Sequence, residues 1–167
     1  MNRLLVFVLS TFLALWLVAA VKYQSHGIDD IRSSLLALFF RDDSAYAAGY
    51  TDKGFGGLRS GMVKAAVLQR IGVPLRCVWV YGETQHNPEY VSVSADGRIV
   101  RINGAGLPQR GDVRVGMSAA EFLRTRGKPE SEVYSYSAPK HDGSYRIRQV
   151  EFHNDRVEGI KTGFYVD

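Results

Sequence analysis

The chain has 167 residues, which is enough for one ordinary domain or two very small ones. Its formal net charge of +4 is mild, and no run of basic residues resembles a nucleic-acid-binding surface, so no nucleic acid is expected as a partner. A single cysteine, Cys77, excludes an intrachain disulfide and a metal site built from several cysteines.

The N-terminus is strongly apolar. An uninterrupted uncharged stretch, 4–21, follows Arg3. As a helix rising about 1.5 Å per residue it would span roughly 27 Å, close to the thickness of a hydrocarbon core. Residues 1–21 are therefore predicted to be a signal anchor or a signal peptide cleaved after Ala20, and the length favours the anchor. In both cases the rest of the chain is expected to be exported.

Residues 22–57 are predicted to contain an amphipathic helix and a linker. Apolar residues at 28, 31, 35, 38 and 39 follow one face of a helix over 28–40. This helix either packs on the domain as a stalk near the membrane, or binds a partner through Phe39 and Phe40. Residues 41–57 are rich in glycine, alanine and aspartate, which is typical of a linker.

A pattern of glycine, methionine and proline occurs twice in the remaining chain. Its members are Gly61, Met62, Gly72 and Pro74 in the first copy, and Gly116, Met117, Gly127 and Pro129 in the second. The second glycine and the proline follow the first glycine at the same spacing in both copies. Each copy predicts a short helix, with Ser118 and Glu121 as a capping box in the second copy and Val63 in place of the serine in the first. Residues 58–109 and 110–167 are therefore predicted to be two copies of one unit.

Three strands are predicted after each helix. They cover 75–81, 89–95 and 98–102 in the first copy, and 133–137, 145–152 and 157–166 in the second. Asp96-Gly97 and residues 153–156 are the expected hairpin turns. Two such units side by side would form an α+β fold, in which one antiparallel sheet carries helices on one face and leaves the other face open.

The glycine-methionine pair, short helix, Gly-x-Pro, aromatic strand and hairpin resemble the outer-membrane assembly lipoprotein BamE (SmpA/OmlA) family. They are also similar to the related β-lactamase inhibitor proteins, which join two such units in tandem. The resemblance covers residues 58–102 and 113–166. It implies a small antiparallel sheet with helices on one face, and a non-enzymatic, protein-binding role in the bacterial envelope. The chain departs from the lipoproteins because it has no lipobox cysteine.

The resulting expectation is a protein–protein interaction module linked to outer-membrane protein assembly or envelope integrity. Its partner would be an envelope protein such as the β-barrel assembly machinery, and no cofactor is expected. The chain would be anchored in the inner membrane and face the periplasm, or be periplasmic or secreted if the N-terminus is cleaved. The alternative is a secreted or periplasmic inhibitor of an enzyme.

Aromatic residues of the predicted strands are the candidate protein-binding residues. They are Trp79, Tyr81, Tyr90, Tyr134 and Tyr136. Tryptophan and tyrosine combine a large apolar area with a polar tip, which suits a binding hot spot. If the side of the strands that carries Trp79, Tyr81, Tyr134 and Tyr136 is the open one, four aromatic rings would be presented together. The same residues would equally suit the core of the sheet.

An envelope hydrolase is the hypothesis from a different class. It would need Cys77 or one of the histidines, His26, His86, His141 and His153. Cys77 lies in a predicted strand with no helix N-terminus nearby, and the histidines lack metal-binding spacing, so neither catalysis nor metal binding is expected. A tight cluster of ionisable side chains around Cys77 in a deep cleft would contradict this expectation.

Overall fold

The fold was analysed in a computed structural model, which describes residues 36, 40–82, 88–104, 113–141 and 143–166. The predicted signal anchor at 1–21 and nearly all of the amphipathic helix at 28–40 lie outside the described residues. Within the described ranges, no helix is both long and apolar enough to cross a membrane.

The described residues form an α+β fold of short helices and antiparallel strands. The helices are α1 (Asp52–Gly56), α2 (Lys64–Ile71) and α3 (Ala119–Arg126). The strands are β1 (Ser44–Tyr46), β2 (Arg76–Tyr81), β3 (Glu89–Ser94), β4 (Ile99–Asn103), β5 (Ser131–Ser135), β6 (Ser137–Pro139), β7 (Tyr145–His153) and β8 (Arg156–Tyr165). Strands β1 and β6 form a small separate sheet.

The main sheet has six strands in the order β4-β3-β2-β5-β7-β8. This order is symmetric about the β2–β5 pair, from which one hairpin extends to each side. In that central pair, Val78 lies directly opposite Val133. The separation of these two valines along the chain equals that of Gly61 and Gly116. Below, residues 58–104 are called the first half and residues 113–166 the second half.

Local signals in the sequence explain most of these elements. Ser118 Oγ accepts a hydrogen bond from the Glu121 N–H (3.2 Å) at the start of α3, whereas Val63 gives α2 no side-chain cap. Asp96-Gly97 forms the predicted turn between β3 and β4, with Gly97 at φ +74°. The predicted order of one helix followed by three strands is therefore present in both halves, except that one predicted strand is interrupted.

The interruption lies in the strand predicted at 133–137. It is divided into β5 and β6 at Tyr136, whose N–H donates to the Arg148 carbonyl (2.8 Å) and whose carbonyl accepts from the Ala47 N–H (3.0 Å). From this point the chain pairs with β1 as well as lying beside β7. The sequence alone gives no partner for this segment, so the division could not be predicted.

The segment predicted as a linker, residues 41–57, is folded instead. It contains β1 and α1, and Thr51 caps α1 by accepting a hydrogen bond from the Gly54 N–H (3.0 Å). Phe55 and Ala47 are buried in the core. Two buried apolar side chains hold the segment against the domain, although its composition is otherwise that of a loop.

Each of the two longer helices begins beside the hairpin of the other half. Before α2, the Gly61 N–H donates to the Val157 carbonyl (2.8 Å) next to the β7–β8 turn. Before α3, the Gly116 N–H donates to the Ile99 carbonyl (2.7 Å) next to the β3–β4 turn. In return, the Val157 N–H donates to the Met62 carbonyl (2.8 Å), and the Ile99 N–H donates to the Met117 carbonyl (3.0 Å).

The two cores show the same exchange of helices. The first core joins α1 and α2 to strands of the second half, through Phe55, Val67, Ile71, Tyr136, Val150, Phe152 and Val157. The second core joins α3 to strands of the first half, through Trp79, Tyr81, Val91, Val93, Ile99, Met117 and Phe122. Neither half therefore buries its own helix on its own strands.

All three helices lie on one face of the main sheet. Cys77 and Tyr134 are opposite each other on β2 and β5, so their side chains project from the same face. Cys77 packs against the core of α3, and Tyr134 packs against the core of α1 and α2. No helix of the described residues packs on the opposite face.

Candidate functional site

The face opposite the helices is the first candidate surface, and it is called here the open sheet face. At its centre lie side chains that pair across β2, β3 and β5, namely Val78, Val80, Tyr90, Ser92, Ser131 and Val133. Tyr90 is 43% exposed there, whereas Val80 and Ser131 are buried, at 6% and 1% exposed. On the other side of the centre, a shallow depression crosses β5, β7 and β8, and it is lined by Val133, Gln149, Glu151 and Lys161.

Four of the five candidate aromatic residues lie on the covered face. Trp79 and Tyr81 are buried and pack on Phe122 of α3, with ring centroids 5.9 and 6.1 Å apart. Tyr136 is fully buried, and Tyr134 is half-buried against Phe152.

The condition for four aromatic rings on the open face is therefore not met. Tyr90 alone among the five candidates has an exposed ring on the open sheet face. Burial of the other four matches the core interpretation that the sequence left open. Protein binding by these residues stays a prediction, and Tyr90 is the one placed to contact a partner directly.

A cleft between α2 and α3 is the second candidate surface, called here the interhelical cleft. Its volume is about 540 Å³. Lys64 and Leu68 line it from α2, and Leu123 lines it from α3. Its floor is formed by the central strands, through Cys77, Trp79, Glu132 and Tyr134.

A compact set of ionisable groups lies at one side of this cleft. Lys64 Nζ is 2.6 Å from Glu132 Oε1 and 2.5 Å from Asp155 Oδ1. The Tyr134 hydroxyl donates to Glu132 Oε2 (3.0 Å), and Cys77 Sγ lies 4.0 Å from the same oxygen. Because the Glu132 side chain is only 15% exposed, these donors replace water around its carboxylate.

A cluster of ionisable groups around Cys77 in a cleft is the arrangement that would contradict a non-catalytic role, so its chemistry decides how it is interpreted. Burial, and after it the negative charge of Glu132, raise the pKa of the Cys77 thiol. Burial also raises the pKa of the Tyr134 hydroxyl. A nucleophilic cysteine needs a lowered pKa, and no histidine lines the described cleft. The cleft thus keeps the thiol protonated.

The polar residues of the cleft were missed in the sequence because they are far apart in the chain. Lys64 and Glu132 are separated by 68 residues. The repeat spacing places Lys64 at the position of Ala119, and Glu132 at that of Cys77. Both members of the ion pair therefore lie at positions where the two copies differ in charge, as several other positions of the repeat also do. That comparison between the copies was the available signal.

His141 and His153, the two histidines that the structure describes, lie in different parts of the fold. His141 is exposed and its Nδ1 lies 2.9 Å from Asp43 Oδ2, a contact that lowers the pKa of that carboxyl group through the hydrogen bond. His153 is exposed at the end of β7, while His26 and His86 lie outside the described residues. In the part of the chain that the structure describes, no group of three or more histidine, cysteine, aspartate or glutamate residues could hold a metal ion.

Comparison of the chain with protein-family models, with curated proteins and with solved structures gives no match. The repeated motif and the geometry of the two surfaces are therefore the observations that bear on function.

Proposed function

We propose that the chain is an exported, non-enzymatic protein–protein interaction module of the bacterial envelope, built from two tandem BamE-like units. Its physiological role would be in outer-membrane protein assembly or envelope integrity, and its partner would be an envelope protein such as the β-barrel assembly machinery. Residues 1–21 would tether it to the inner membrane with the folded part in the periplasm. No cofactor takes part in this role.

The duplication is supported by several independent spacings. The glycine, methionine and proline pattern recurs at one fixed spacing, and the same spacing separates the valines that face each other at the centre of the sheet. The isolated bridges Val63–Arg156 and Ser118–Arg98 join each helix start to the turn of the other half. One duplication of a single unit would explain both the shared spacings and the equivalent bridges.

The observation that carries the binding proposal is the one-sided placement of the helices. Both cores lie on one face of the sheet, and Tyr90 is exposed on the other face. Arg101 pairs with Ser92, two residues from Tyr90 on β3, so its cationic side chain belongs to the same face of the sheet. Tyrosine and arginine are enriched in interface hot spots, and a sheet face of six strands is wide enough for a protein partner.

The test is photocrosslinking in the full chain from two matched positions. A photoreactive amino acid replaces Tyr90 on the open sheet face, or Glu121 on the exposed side of α3, and each chain is irradiated in the host's own envelope. We expect one discrete adduct from position 90 and none from position 121. Tyr90→Ala should weaken recovery of that partner at least about tenfold, as hot-spot truncation does, without changing the melting temperature.

Equal adducts from both positions, or none from position 90, would contradict the proposed surface. The inhibitor alternative is separated by N-terminal sequencing of the exported protein, since a mature chain that begins near Val21 favours secretion. The hydrolase hypothesis predicts that a Cys77→Ser chain no longer restores the function lost when the host lacks the protein. The interaction proposal predicts that this variant behaves like the parent chain.

A further inference from the structure

We propose that the interhelical cleft is a binding site for a compact, uncharged, apolar molecule. The cleft has a volume of about 540 Å³, within the range typical of small-molecule sites. It lies on the face opposite to the open sheet face, so this inference does not depend on the proposed protein partner.

Apolar side chains form both walls of the cleft and part of its floor. These are Leu68, Val73, Pro74, Trp79, Val93, Leu123, Pro129 and Phe152. Leu68 and Leu123 occupy equivalent positions in the two copies of the repeat, and they form the two walls. Val73 at the rim is 62% exposed, so the apolar lining continues to the mouth. A bound apolar molecule would remove this surface from water.

Four of the five charged groups of the cleft pair with one another. Lys64 is held between Glu132 and Asp155, and Lys128 Nζ lies 3.6 Å from Asp155 Oδ2. These two lysines and two carboxylates sum to zero formal charge, and Glu130 brings the formal charge of the lining to −1. Glu130, also at the rim, accepts a hydrogen bond from the Gly82 N–H (2.9 Å). The paired groups offer an ionised ligand no free counter-charge in exchange for its lost hydration, whereas an uncharged ligand would lose little hydration.

The hydrogen-bonding groups on the floor are also occupied. Lys64 and the Tyr134 hydroxyl both donate to Glu132, and the Cys77 thiol lies near the same carboxylate. A ligand would therefore gain mainly through contact with Trp79 and the two leucines. The expected ligand class is an alicyclic or aromatic ring, or a short alkyl group, with at most one neutral polar substituent.

The experiment compares three probes that share one ring and differ in charge: cyclohexanol, cyclohexylammonium and cyclohexanecarboxylate. The full chain carries 5-fluorotryptophan and is reconstituted in phospholipid nanodiscs. The substitution Trp16→Phe leaves Trp79 as the only labelled residue, so ¹⁹F resonance shifts report on the cleft floor. We expect a saturable shift with cyclohexanol, and binding of both ions at least about tenfold weaker because their hydration is lost without compensation.

Two kinds of variant sharpen this test. Leu68→Phe and Leu123→Phe each reduce the free volume from one wall, and each should weaken cyclohexanol binding at least about fivefold, while Tyr165→Ala, far from the cleft, should not. Glu132→Gln removes one negative charge from beside Lys64 and should raise the affinity for cyclohexanecarboxylate relative to cyclohexanol. Thermal melting of every variant confirms that it is folded.

The proposal is overturned if no probe gives a saturable shift, if all three probes bind equally, or if an ion binds most tightly to the parent chain. It is also overturned if both phenylalanine variants fold and bind cyclohexanol unchanged. None of these results bears on crosslinking from the open sheet face, so the two proposals can fail separately.

Discussion

Phe122 is the side chain through which the helix of the second half holds the strands of the first. It is fully buried, and its ring lies 5.9 Å from Trp79 and 6.1 Å from Tyr81. Replacing a buried phenylalanine with alanine removes its burial and leaves a cavity, at a typical loss of about 3–5 kcal/mol. Since a small domain is stable by only about 5–15 kcal/mol, Phe122→Ala should lower the melting temperature by roughly 10 °C or more.

The assay combines urea unfolding with amide resonance mapping by NMR. Because α3 packs on strands of the first half, Phe122→Ala should shift resonances in β2, β3 and β4 although the substitution lies in the second half. Val67→Ala at the equivalent position of α2 is the matched control, and it should shift resonances in β7 and β8 instead. Shifts from Phe122→Ala that stay within residues 113–166 would refute the exchange of helices.

Two further predictions concern the backbone and the acid stability of the domain. Gly72→Ala should destabilise much more than Gly127→Ala in thermal unfolding. Both glycines have positive φ, +78° and +86°, but a Cβ at Gly72 would lie 2.3 Å from the Ala48 carbonyl oxygen and one at Gly127 meets nothing within 4 Å. Positive φ alone costs about 1–2 kcal/mol, so equal losses would contradict the close approach. Asp42→Asn should cost roughly 1 kcal/mol at pH 7, because Asp42 accepts a hydrogen bond from Arg146 Nε (2.6 Å). Burial raises the pKa of this carboxyl group, but its hydrogen bonds outweigh the effect of burial and leave the pKa below the usual 3.8. The stabilisation that Asp42 provides is therefore present above pH 3.8 and is lost as the pH falls through the lower folded-state pKa. The parent chain should thus lose more stability than the variant on acidification below that value; parallel pH profiles would contradict this.

Local signals in the sequence were enough to place α2, α3 and most strands of the main sheet, but not α1 or β1. Ser118, Gly127 and the Asp96-Gly97 turn act on their near neighbours along the chain, so their effect does not depend on the rest of the fold. The placement of helices on one face also followed, because a short amphipathic helix must bury its apolar side.

The partner of each helix was not predictable in this way. An apolar stripe on α2 shows that the helix docks, but it does not distinguish the strands of its own half from those of the other. The ion pair of Lys64 and Glu132 has the same origin, since it forms only when the helix crosses to the other half. The burial of Phe55 could not be predicted for a different reason: one buried ring anchors a segment whose composition is otherwise that of a linker.

The interleaving of the two halves is the claim on which the rest depends, because it creates both the one-sided sheet and the interhelical cleft. It is tested most directly by preparing residues 22–104 and 113–167 as separate chains and recording their amide NMR spectra alone and mixed. Each helix would then lack its sheet, so neither fragment should give the dispersed spectrum of a folded domain by itself, and an equimolar mixture should recover that of the intact chain. A dispersed, cooperatively melting spectrum from either fragment alone would contradict the account.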